Sequence, residues 1–321
     1  MKNTINLYRN AFPASQQRAS ALTIGNFDGV HLGHQQLLER VVKVASQKNL
    51  APSVMTFLPH PREYFALREQ RPELVPTRIS SLRDKVTALA NAGIEQVFLN
   101  RFNNKFASLS AEQFIEDILV RRLNTKWLYV GVDFRFGNKR SGNIALLRDA
   151  SSHFGFEVET LEDVLDAQNQ RYSSTELRNA LAFGDLDRAK SYLGRPYEIS
   201  GHVIHGKKLG RTIGYPTLNI RAMPRCALRS GIYVVSVKGL DGQILPGIAS
   251  LGVRPTVESD GKVLLEVHIL DKTVSAYGKL ITVAFLHHVR DEEKFPNLPT
   301  MIDAIRNDER IARNYFAVHG L

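Results

Sequence analysis

Two histidines three residues apart, His31 and His34, close a stretch that reads Gly25-Asn-Phe-Asp-Gly-Val-His-Leu-Gly-His34. At this spacing near a helix start, both imidazoles can point to one face. Their N–H groups can then donate to phosphate oxygens, and backbone N–H groups at the helix start also favour anions. The stretch therefore predicts a polyphosphate site, in which the binding residues beside the histidines are Gly25, Asn26, Phe27, Asp28, Gly29 and Gly33.

Other roles for this stretch are a metal site and plain helix capping. The two histidines lack an evident third ligand for a metal, and a metal site would leave the glycines unexplained. The glycine spacing also differs from the G-x-G-x-x-G fingerprint, which argues against a nicotinamide enzyme.

A second candidate phosphate clamp is Ser173-Ser174-Thr175-Glu176-Leu177-Arg178. Hydroxyl groups at a helix start, followed one turn later by a guanidinium, can grip a polyphosphate. Ser173 and Glu176 also fit a capping box, so the residues alone leave both interpretations open.

A glycine-rich segment runs from Gly206 through Gly210 and Gly214 to Thr217 and Asn219. The stretch Gly201 to Lys208, which overlaps the start of this segment, fails the Walker pattern, because Lys208 stands where a hydroxyl would bind Mg²⁺. With Lys207, the glycines are predicted to form a backbone cradle for phosphate. Thr217 and Asn219 would share one face of a strand, so both side-chain oxygens can bind one Mg²⁺. The alternative is a hairpin with two solvent-facing polar residues.

Glu266 is the candidate base to accompany this metal site. It lies in the alternating run Val263 to Leu270, where odd-numbered apolar residues would face the core and Glu266 the other side. A carboxylate in that position can accept the proton of an attacking hydroxyl, or it can be a solvated strand residue.

The elements that position the first sites alternate between strands and helices. Short apolar runs predict strands at 21–24, 53–57, 96–99 and 127–130. Helical spacing predicts helices at 35–48 and 82–92, and Ser110 with Gln113 predicts a capping box for a third that ends near Arg122. This order is typical of an α/β domain with a parallel sheet.

The C-terminal part has a different rhythm. Residues 199–204, 231–237, 263–270 and 280–286 form β-branched runs between turn residues, and helical periodicity returns only at 298–316. The pattern predicts a small antiparallel β-barrel with a terminal helix. We place one domain at 1–186 and the other at 187–321.

The N-terminal motifs resemble those of a known family. His31-Leu-Gly-His34 resembles the H-x-G-H motif of the nucleotidyltransferase superfamily, and the longer stretch is similar to its bacterial FAD synthetase branch. The resemblance implies a Rossmann-like fold and places His31 and His34 on the phosphates of ATP. Ser173 to Arg178 resembles the S-S-T-x-I-R motif, which implies ATP binding by Ser173, Ser174, Thr175 and Arg178. Similar flavin-side segments imply FMN contacts by Pro59, His60, Pro61, Asp133, Phe134 and Phe136.

The C-terminal motif Gly214-Tyr-Pro-Thr-Leu-Asn219 is similar to the G-[FY]-P-T-x-N motif of riboflavin kinases. That resemblance implies metal binding by Thr217 and Asn219, a base role for Glu266 and a flavin contact by Arg290. Together the two resemblances imply a bifunctional enzyme. It would phosphorylate riboflavin to FMN with Mg-ATP, then adenylylate FMN to FAD with release of pyrophosphate.

Composition sets the remaining expectations. The formal charge of +10 is scattered in pairs rather than tracts, which favours small phosphorylated ligands over nucleic acid. Cys226 is the only cysteine, and no apolar run reaches the length of a membrane span. We expect a soluble cytoplasmic enzyme. The alternatives are an adenylyltransferase for another phosphorylated acceptor and a basic nucleotide- or RNA-binding regulator with degenerate sites.

Overall fold

The computed structural model describes residues 5–9, 18–162, 171–206, 209–253, 263–272 and 274–320. Contacts divide the chain into two compact units. The first comprises Met1–Pro76 and Lys85–Ser173, and the second comprises Thr77–Asp84 and Ser174–Leu321. The predicted division into domains 1–186 and 187–321 stays a prediction.

A parallel sheet forms the centre of the first unit. Its strands are β1 (Asn6–Arg9), β2 (Ser20–Ile24), β3 (Ala51–Leu58), β4 (Gln96–Arg101), β5 (Thr125–Gly131) and β6 (Glu157–Leu161). They lie in the order β1-β4-β3-β2-β5-β6, and every neighbouring pair is parallel. The predicted α/β class is confirmed. The strand order reverses at β2, so the crevice beyond the carboxyl ends of β2 and β5 is where such sheets bind ligands.

Helices cover the two faces of this sheet. They are α1 (Leu32–Lys48), α2 (Pro61–Arg68), α3 (Leu82–Asn91), α4 (Asn104–Ala107), α5 (Ala111–Gln113) with its π-helical continuation Phe114–Arg122, and α6 (Ile144–Phe154). One buried cluster joins Leu38 and Val41 of α1 to Val54 and Val97 of the sheet. Strands that are buried on both faces consist of continuous apolar runs, which is why β2 to β5 could be predicted.

The second unit is a closed antiparallel barrel with flanking helices. Its elements are α7 (Ser174–Phe183), α8 (Leu186–Leu193), β7 (Tyr197–Ile204), α9 (Leu209–Thr212), β8 (Leu218–Arg221), β9 (Gly231–Leu240), β10 (Gln243–Val253), β11 (Val263–Ile269), β12 (Leu280–Arg290) and α10 (Leu298–His319). The strands follow the order β10-β11-β8-β7-β12-β9, and pairing of β9 with β10 closes the barrel. The predicted barrel and terminal helix are confirmed.

Strand β11 shows how alternation builds the barrel wall. Val263, Leu265, Val267 and Ile269 are buried, whereas Glu266 is half-exposed on the opposite face, as predicted. Part of that outer face is covered by α10, since Leu270 packs in one buried cluster with residues of the helix and of β9 and β10, namely Ala312, Phe316, Val234 and Ile248. In the part of the chain that the structure describes, no helix is long and apolar enough to cross a membrane.

Candidate active sites

The turn between β2 and α1 carries the two histidines. His31 caps α1, and its Nδ1 accepts a hydrogen bond from the His34 N–H at 3.4 Å. The two imidazole rings stack with centroids 3.7 Å apart, and His31 is only 4% exposed. Because the pair lies at the helix N-terminus and at the switch point of the sheet, it is well placed for an anionic ligand.

The backbone of this turn is strained. Val30 has φ 45° and Phe27 has φ 49°, in the left-handed region that β-branched and bulky residues rarely adopt. Buried packing of both side chains holds this conformation, since Phe27 and Val30 are each 1% exposed. Such strain costs about 1–3 kcal/mol per residue and is concentrated at functional sites.

Three side chains from outside the motif fix the same turn. Thr56 Oγ1 and Lys85 Nζ both donate to the Asn26 carbonyl, at 3.1 Å and 2.7 Å, and Gln35 Nε2 donates to the Val30 carbonyl at 2.9 Å. Lys85 therefore adds a positive charge beside the predicted phosphate loop. The sequence analysis missed this lysine, because 59 residues separate it from its partner.

The predicted flavin-side residues follow β3 and β5. His60 caps α2, where its Nδ1 accepts from the Arg62 N–H at 3.1 Å, and Pro61 is in the first turn of that helix. The Leu58–Pro59 peptide bond is cis. Asp133 pairs with Arg171 at 3.7 Å and is largely exposed. Phe134 stacks on Phe136, which is buried against Phe114 in the core. Contacts of these residues with a flavin stay predictions.

An aromatic cluster beside these residues was not predicted. Phe102 follows β4 and has ring centroids 5.4–5.7 Å from those of Tyr64, Phe65, Phe57 and Phe106. All five rings are half-buried, and they lie near the carboxyl ends of β3 and β4. Tyr64 and Phe65 are in α2, whereas the other three rings come from β3, from α4 and from the residue after β4, so residue spacing could not predict the cluster.

Arg178 lies in α7 of the second unit, one turn after Ser174. Its Nε donates to the Thr77 carbonyl at 2.7 Å and its Nη1 to the Ser174 carbonyl at 3.2 Å. The segment that contains Thr77 is anchored on the barrel, because the Tyr197 hydroxyl of β7 donates to the Ile79 carbonyl at 2.8 Å. The division between the units falls between Ser173 and Ser174. ATP binding by Ser173, Ser174, Thr175 and Arg178 stays a prediction.

Thr217, Asn219 and Glu266 come together on the barrel wall. Asn219 and Glu266 are direct cross-strand partners in the β8–β11 ladder, so their side chains share one face. Asn219 Nδ2 lies 3.4 Å from the Thr217 carbonyl and 3.5 Å from Thr217 Oγ1. Asn219 is 6% exposed, and its buried Oδ1 has no hydrogen-bond partner among the described residues. Buried oxygens in proteins are normally paired with a donor, an ordered water or an ion, so this atom is a candidate ligand-binding group.

Two cavities meet at Thr217. The larger cavity, of about 610 Å³, lies between the β10–β11 wall and α10. Its polar lining includes Thr217, Glu266, His268 and Arg290. Its apolar walls come from Ile213, Ile232, Ile248, Leu264, Phe295, Met301 and Ile305. The smaller, about 480 Å³, is lined by Pro216 to Leu218, Ile269, Lys272 and residues 274–277. Thr217 thus lies between an apolar cavity and a second, more polar one.

Glycines pack closely around these side chains. A Cβ atom on Gly206 would lie 2.5 Å from Asn219 Nδ2, and one on Gly210 would lie 2.2 Å from the Tyr215 carbonyl oxygen. Gly214 has φ 86°, which disfavours other residues. Lys207 lies outside the described residues. Phosphate binding by Gly206, Lys207, Gly210 and Gly214 stays a prediction.

Charged groups at the rim of the larger cavity are paired. Arg290 Nε and Nη2 donate to the two carboxylate oxygens of Asp308 on α10, at 2.9 Å and 2.8 Å. The Asp308 hydrogen bonds raise the pKa of Arg290. The Arg290 guanidinium is hydrogen-bonded to Asp308, and a contact between Arg290 and the flavin stays a prediction. Burial, and to a lesser extent the charge of Glu266, raises the pKa of Glu292, which accepts from Ser250 Oγ at 3.3 Å.

Comparison with known proteins decides the family. A FAD synthetase family model matches residues 14–176, and a riboflavin kinase model matches residues 193–316. The chain is 45% identical to the bifunctional riboflavin kinase/FMN adenylyltransferase of Haemophilus influenzae, over 92% of this chain and 94% of that relative. The chain belongs to this family. The protein of the same name from Escherichia coli K12 is 42% identical, with 94% of each chain covered.

A solved structure resembles the chain over nearly its full length. It comes from Streptococcus pneumoniae, is described as a macrolide-efflux protein, and is 31% identical with a TM-score of 0.77. The match covers 96% of this chain and 99% of the chain in that structure. The efflux description applies to that protein alone.

Membership of the family confirms the predicted fold class and both predicted activities. The geometry unites His31 with His34, and Thr217 with Asn219 and Glu266. Four further residues could not be predicted from the sequence, because only the tertiary fold brings their partners close: Lys85, Phe102, Asp308 and Glu292.

Proposed function

We propose that the two activities of this bifunctional family are divided between the two units, with ATP used in each. In the barrel, riboflavin is phosphorylated to FMN. In the first unit, FMN is adenylylated to FAD with release of pyrophosphate. The single observation that carries the residue assignment is the Asn219–Glu266 cross-strand pair beside Thr217, which lines both cavities.

The kinase step follows from the cavities. The larger one has apolar walls that suit the flavin ring, with Glu266 on its polar side. The smaller one would hold ATP, so that its γ-phosphate reaches Thr217. Glu266 accepts the proton of the ribityl 5′-hydroxyl as that oxygen bonds to the γ-phosphorus and ADP leaves. Positioning and charge stabilisation account for most of the rate enhancement in such transfers.

A divalent metal fits the polar side of this site, and we assign Mg²⁺. The donors would be Thr217 Oγ1 and Asn219 Oδ1, which are hard oxygen ligands of the kind Mg²⁺ prefers. The buried, unsatisfied Asn219 Oδ1 supports this assignment. Two protein oxygens are few, in keeping with Mg²⁺ sites that take their remaining ligands from substrate phosphates and water. Bound there, the metal would neutralise charge on the transferred phosphoryl group.

For adenylylation, we propose that His31 and His34 donate hydrogen bonds to the ATP phosphates. The FMN phosphate oxygen bonds to the α-phosphorus, and the bond to the pyrophosphate oxygen breaks without a covalent enzyme intermediate. The stacked rings at the start of α1 stabilise the charge that develops on pyrophosphate. The aromatic cluster around Phe102 would support the flavin ring, by stacking or edge contacts.

A time course with riboflavin, ATP and Mg²⁺ tests the residue assignment. Glu266→Gln should slow FMN formation by about 100-fold or more and leave FAD formation from supplied FMN unchanged. His31→Ala should do the reverse, with a loss of roughly 100-fold in FAD formation. Glu293→Gln, which removes another carboxylate at the same cavity, is the matched control. Wild-type FMN formation by the Glu266 variant would refute the base assignment.

The alternatives give different results in the same assay. An adenylyltransferase for another phosphorylated acceptor would leave supplied FMN unchanged. A nucleotide- or RNA-binding regulator would turn over neither flavin and would bind RNA in a salt-sensitive manner. We propose a cytoplasmic enzyme whose partners are ATP, riboflavin, FMN and FAD.

A further inference from the structure

The β8–β11 ladder ends beside the predicted metal ligands. At the start of β8, its last residue pair is Leu218 with Val267. Pro216, two residues before β8, lacks a backbone N–H and cannot extend the ladder as a donor. Its carbonyl oxygen instead lies 2.9 Å from Nδ1 of His268, the next residue but one after Glu266. Because a carbonyl only accepts, Nδ1 of His268 carries the proton of this bond.

The ring of His268 is held on a rigid support. Its backbone pairs with Ile248 of β10, and its carbonyl oxygen lies close to Gly247, where a Cβ atom would be 2.7 Å away. Tyr215 packs edge-on against the imidazole with centroids 5.3 Å apart. The ring thus joins a fixed barrel strand to the Tyr215-Pro216 segment that leads into Thr217.

The peptide groups before and after Thr217 are consequently each contacted by a side chain. Asn219 Nδ2 approaches the Thr217 carbonyl at 3.4 Å, and His268 donates to the Pro216 carbonyl at 2.9 Å. The bond from His268 is the shorter one. It fixes the peptide plane that sets the position of the Thr217 side chain between the two cavities.

We propose that His268 is a positioning residue for phosphoryl transfer. Through the Pro216 carbonyl, it holds Thr217 Oγ1 in place for the metal–ATP complex. This inference rests on the metal role proposed above for Thr217. Sites that act by positioning lose activity when the supporting hydrogen bonds are removed.

Two substitutions separate the hydrogen bond from the ring. His268→Phe keeps an aromatic ring against Tyr215 but removes the donor. His268→Asn places an amide N–H at the same distance along the side chain as Nδ1 and restores the donor. His319 provides matched controls, because it too packs against a tyrosine ring, with centroids 4.1 Å apart. Its Nδ1 also lies 2.8 Å from a backbone carbonyl, near the exposed end of α10.

The measurements are Mg-ADP affinity by calorimetry, riboflavin affinity by fluorescence quenching, and kcat and KM for the kinase reaction. We expect His268→Phe to weaken Mg-ADP binding and raise KM for ATP about tenfold, as expected for the loss of one supporting hydrogen bond. Mg-ADP affinity carries the test, because His268 also lines the larger cavity and the phenyl ring alters the surface offered to riboflavin. His268→Asn should recover most of the Mg-ADP affinity, and both His319 variants should match the wild type.

Each other outcome overturns a defined part of the argument. If Thr217→Ala leaves Mg-ADP affinity unchanged, the proposed metal role fails and the positioning inference fails with it. If Thr217→Ala weakens binding but His268→Phe does not, only the inference on His268 fails. If His268→Asn has wild-type nucleotide affinity but a kcat as low as that of His268→Phe, the imidazole acts in chemistry rather than in positioning. Scanning calorimetry on the same samples reports that the barrel unit is folded, because FAD formation from supplied FMN reports on the first unit alone.

Discussion

Replacing Asp308 with alanine should destabilise the barrel unit, because it breaks a buried, two-pronged ion pair. The Asp308 side chain is 3% exposed and that of Arg290 is 23% exposed. Removing one partner of a fully buried pair costs about 3–5 kcal/mol. Arg290 retains Glu293 at 3.1 Å and the Asp291 carbonyl at 3.2 Å, so its charge is not left entirely uncompensated. We therefore expect a loss of about 2–3 kcal/mol, at or just below the lower limit of that range.

Scanning calorimetry is the appropriate assay, because two units need not unfold in one step. For a unit of this size, each kcal/mol corresponds to about 2–4 °C, so the barrel transition should fall by about 4–12 °C. Asp303→Ala is the control on the same helix. Asp303 pairs with Arg306 at 3.3 Å, but both side chains are more than two-thirds exposed, so its loss should cost less than about 1 kcal/mol.

The same variant should impair flavin binding, because α10 forms one wall of the larger cavity. We expect a higher KM for riboflavin and an unchanged KM for FMN in adenylylation. A double-mutant cycle with Arg290→Ala then separates two roles of the arginine. If Arg290→Ala raises the riboflavin KM further in the Asp308→Ala background, the predicted flavin contact is supported. Equal thermal shifts for Asp308→Ala and Asp303→Ala would refute the reasoning about burial.

Two further predictions concern other parts of the chain. Burial raises the pKa of Glu292 above its ordinary value of 4.5, so its ionisation opposes folding at neutral pH. Because Glu292 is still largely exposed, solvent screens most of this effect, and Glu292→Gln should raise the melting temperature near pH 7 only slightly. That gain should shrink as the pH falls and vanish below about 4.5, where the carboxyl is protonated in both the folded and the unfolded state. A gain that persists at about pH 4 would contradict a raised pKa of Glu292 in the folded state. Phe102→Ala removes the central ring of its cluster and should therefore raise KM for FMN in adenylylation about fivefold. The control Phe154→Ala, on α6, should leave this KM unchanged. Equal KM values for the two variants would exclude a flavin role for the cluster.

The sequence could predict elements whose pattern is set by burial on known faces. Strands β2 to β5 are covered on both faces, which requires continuous apolar runs, and β11 alternates because one face packs inside the barrel. The edge strands β1 and β6 are half-exposed, so their residues carry a weak pattern and were missed. Strand β10 was also missed, since Pro246 and Gly247 within it are typical of turns.

The candidate sites divide in the same way. The histidine pair and the Thr217–Asn219 pair are local, so their spacing alone brings the side chains together. Lys85, Asp308 and His268 act on residues that are 18 to 59 positions away. Their partners are determined by helix packing and strand register, which residue spacing does not encode.

The glycines before Thr217 show what spacing alone leaves out. One glycine in four predicts a flexible cradle for phosphate, but the geometry adds a steric reason for two of them. A methyl group on Gly206 would lie 2.5 Å from Nδ2 and 2.8 Å from Oδ1 of Asn219, and so would displace the amide. On Gly210 it would collide at 2.2 Å with the Tyr215 carbonyl oxygen, which belongs to the segment that His268 supports. The Tyr215 backbone cannot give way as a flexible side chain does, so a side chain at position 210 would shift the segment that leads into Thr217. A side chain at position 206 would instead move the Asn219 amide, so both glycines preserve the site even where no ligand touches the loop.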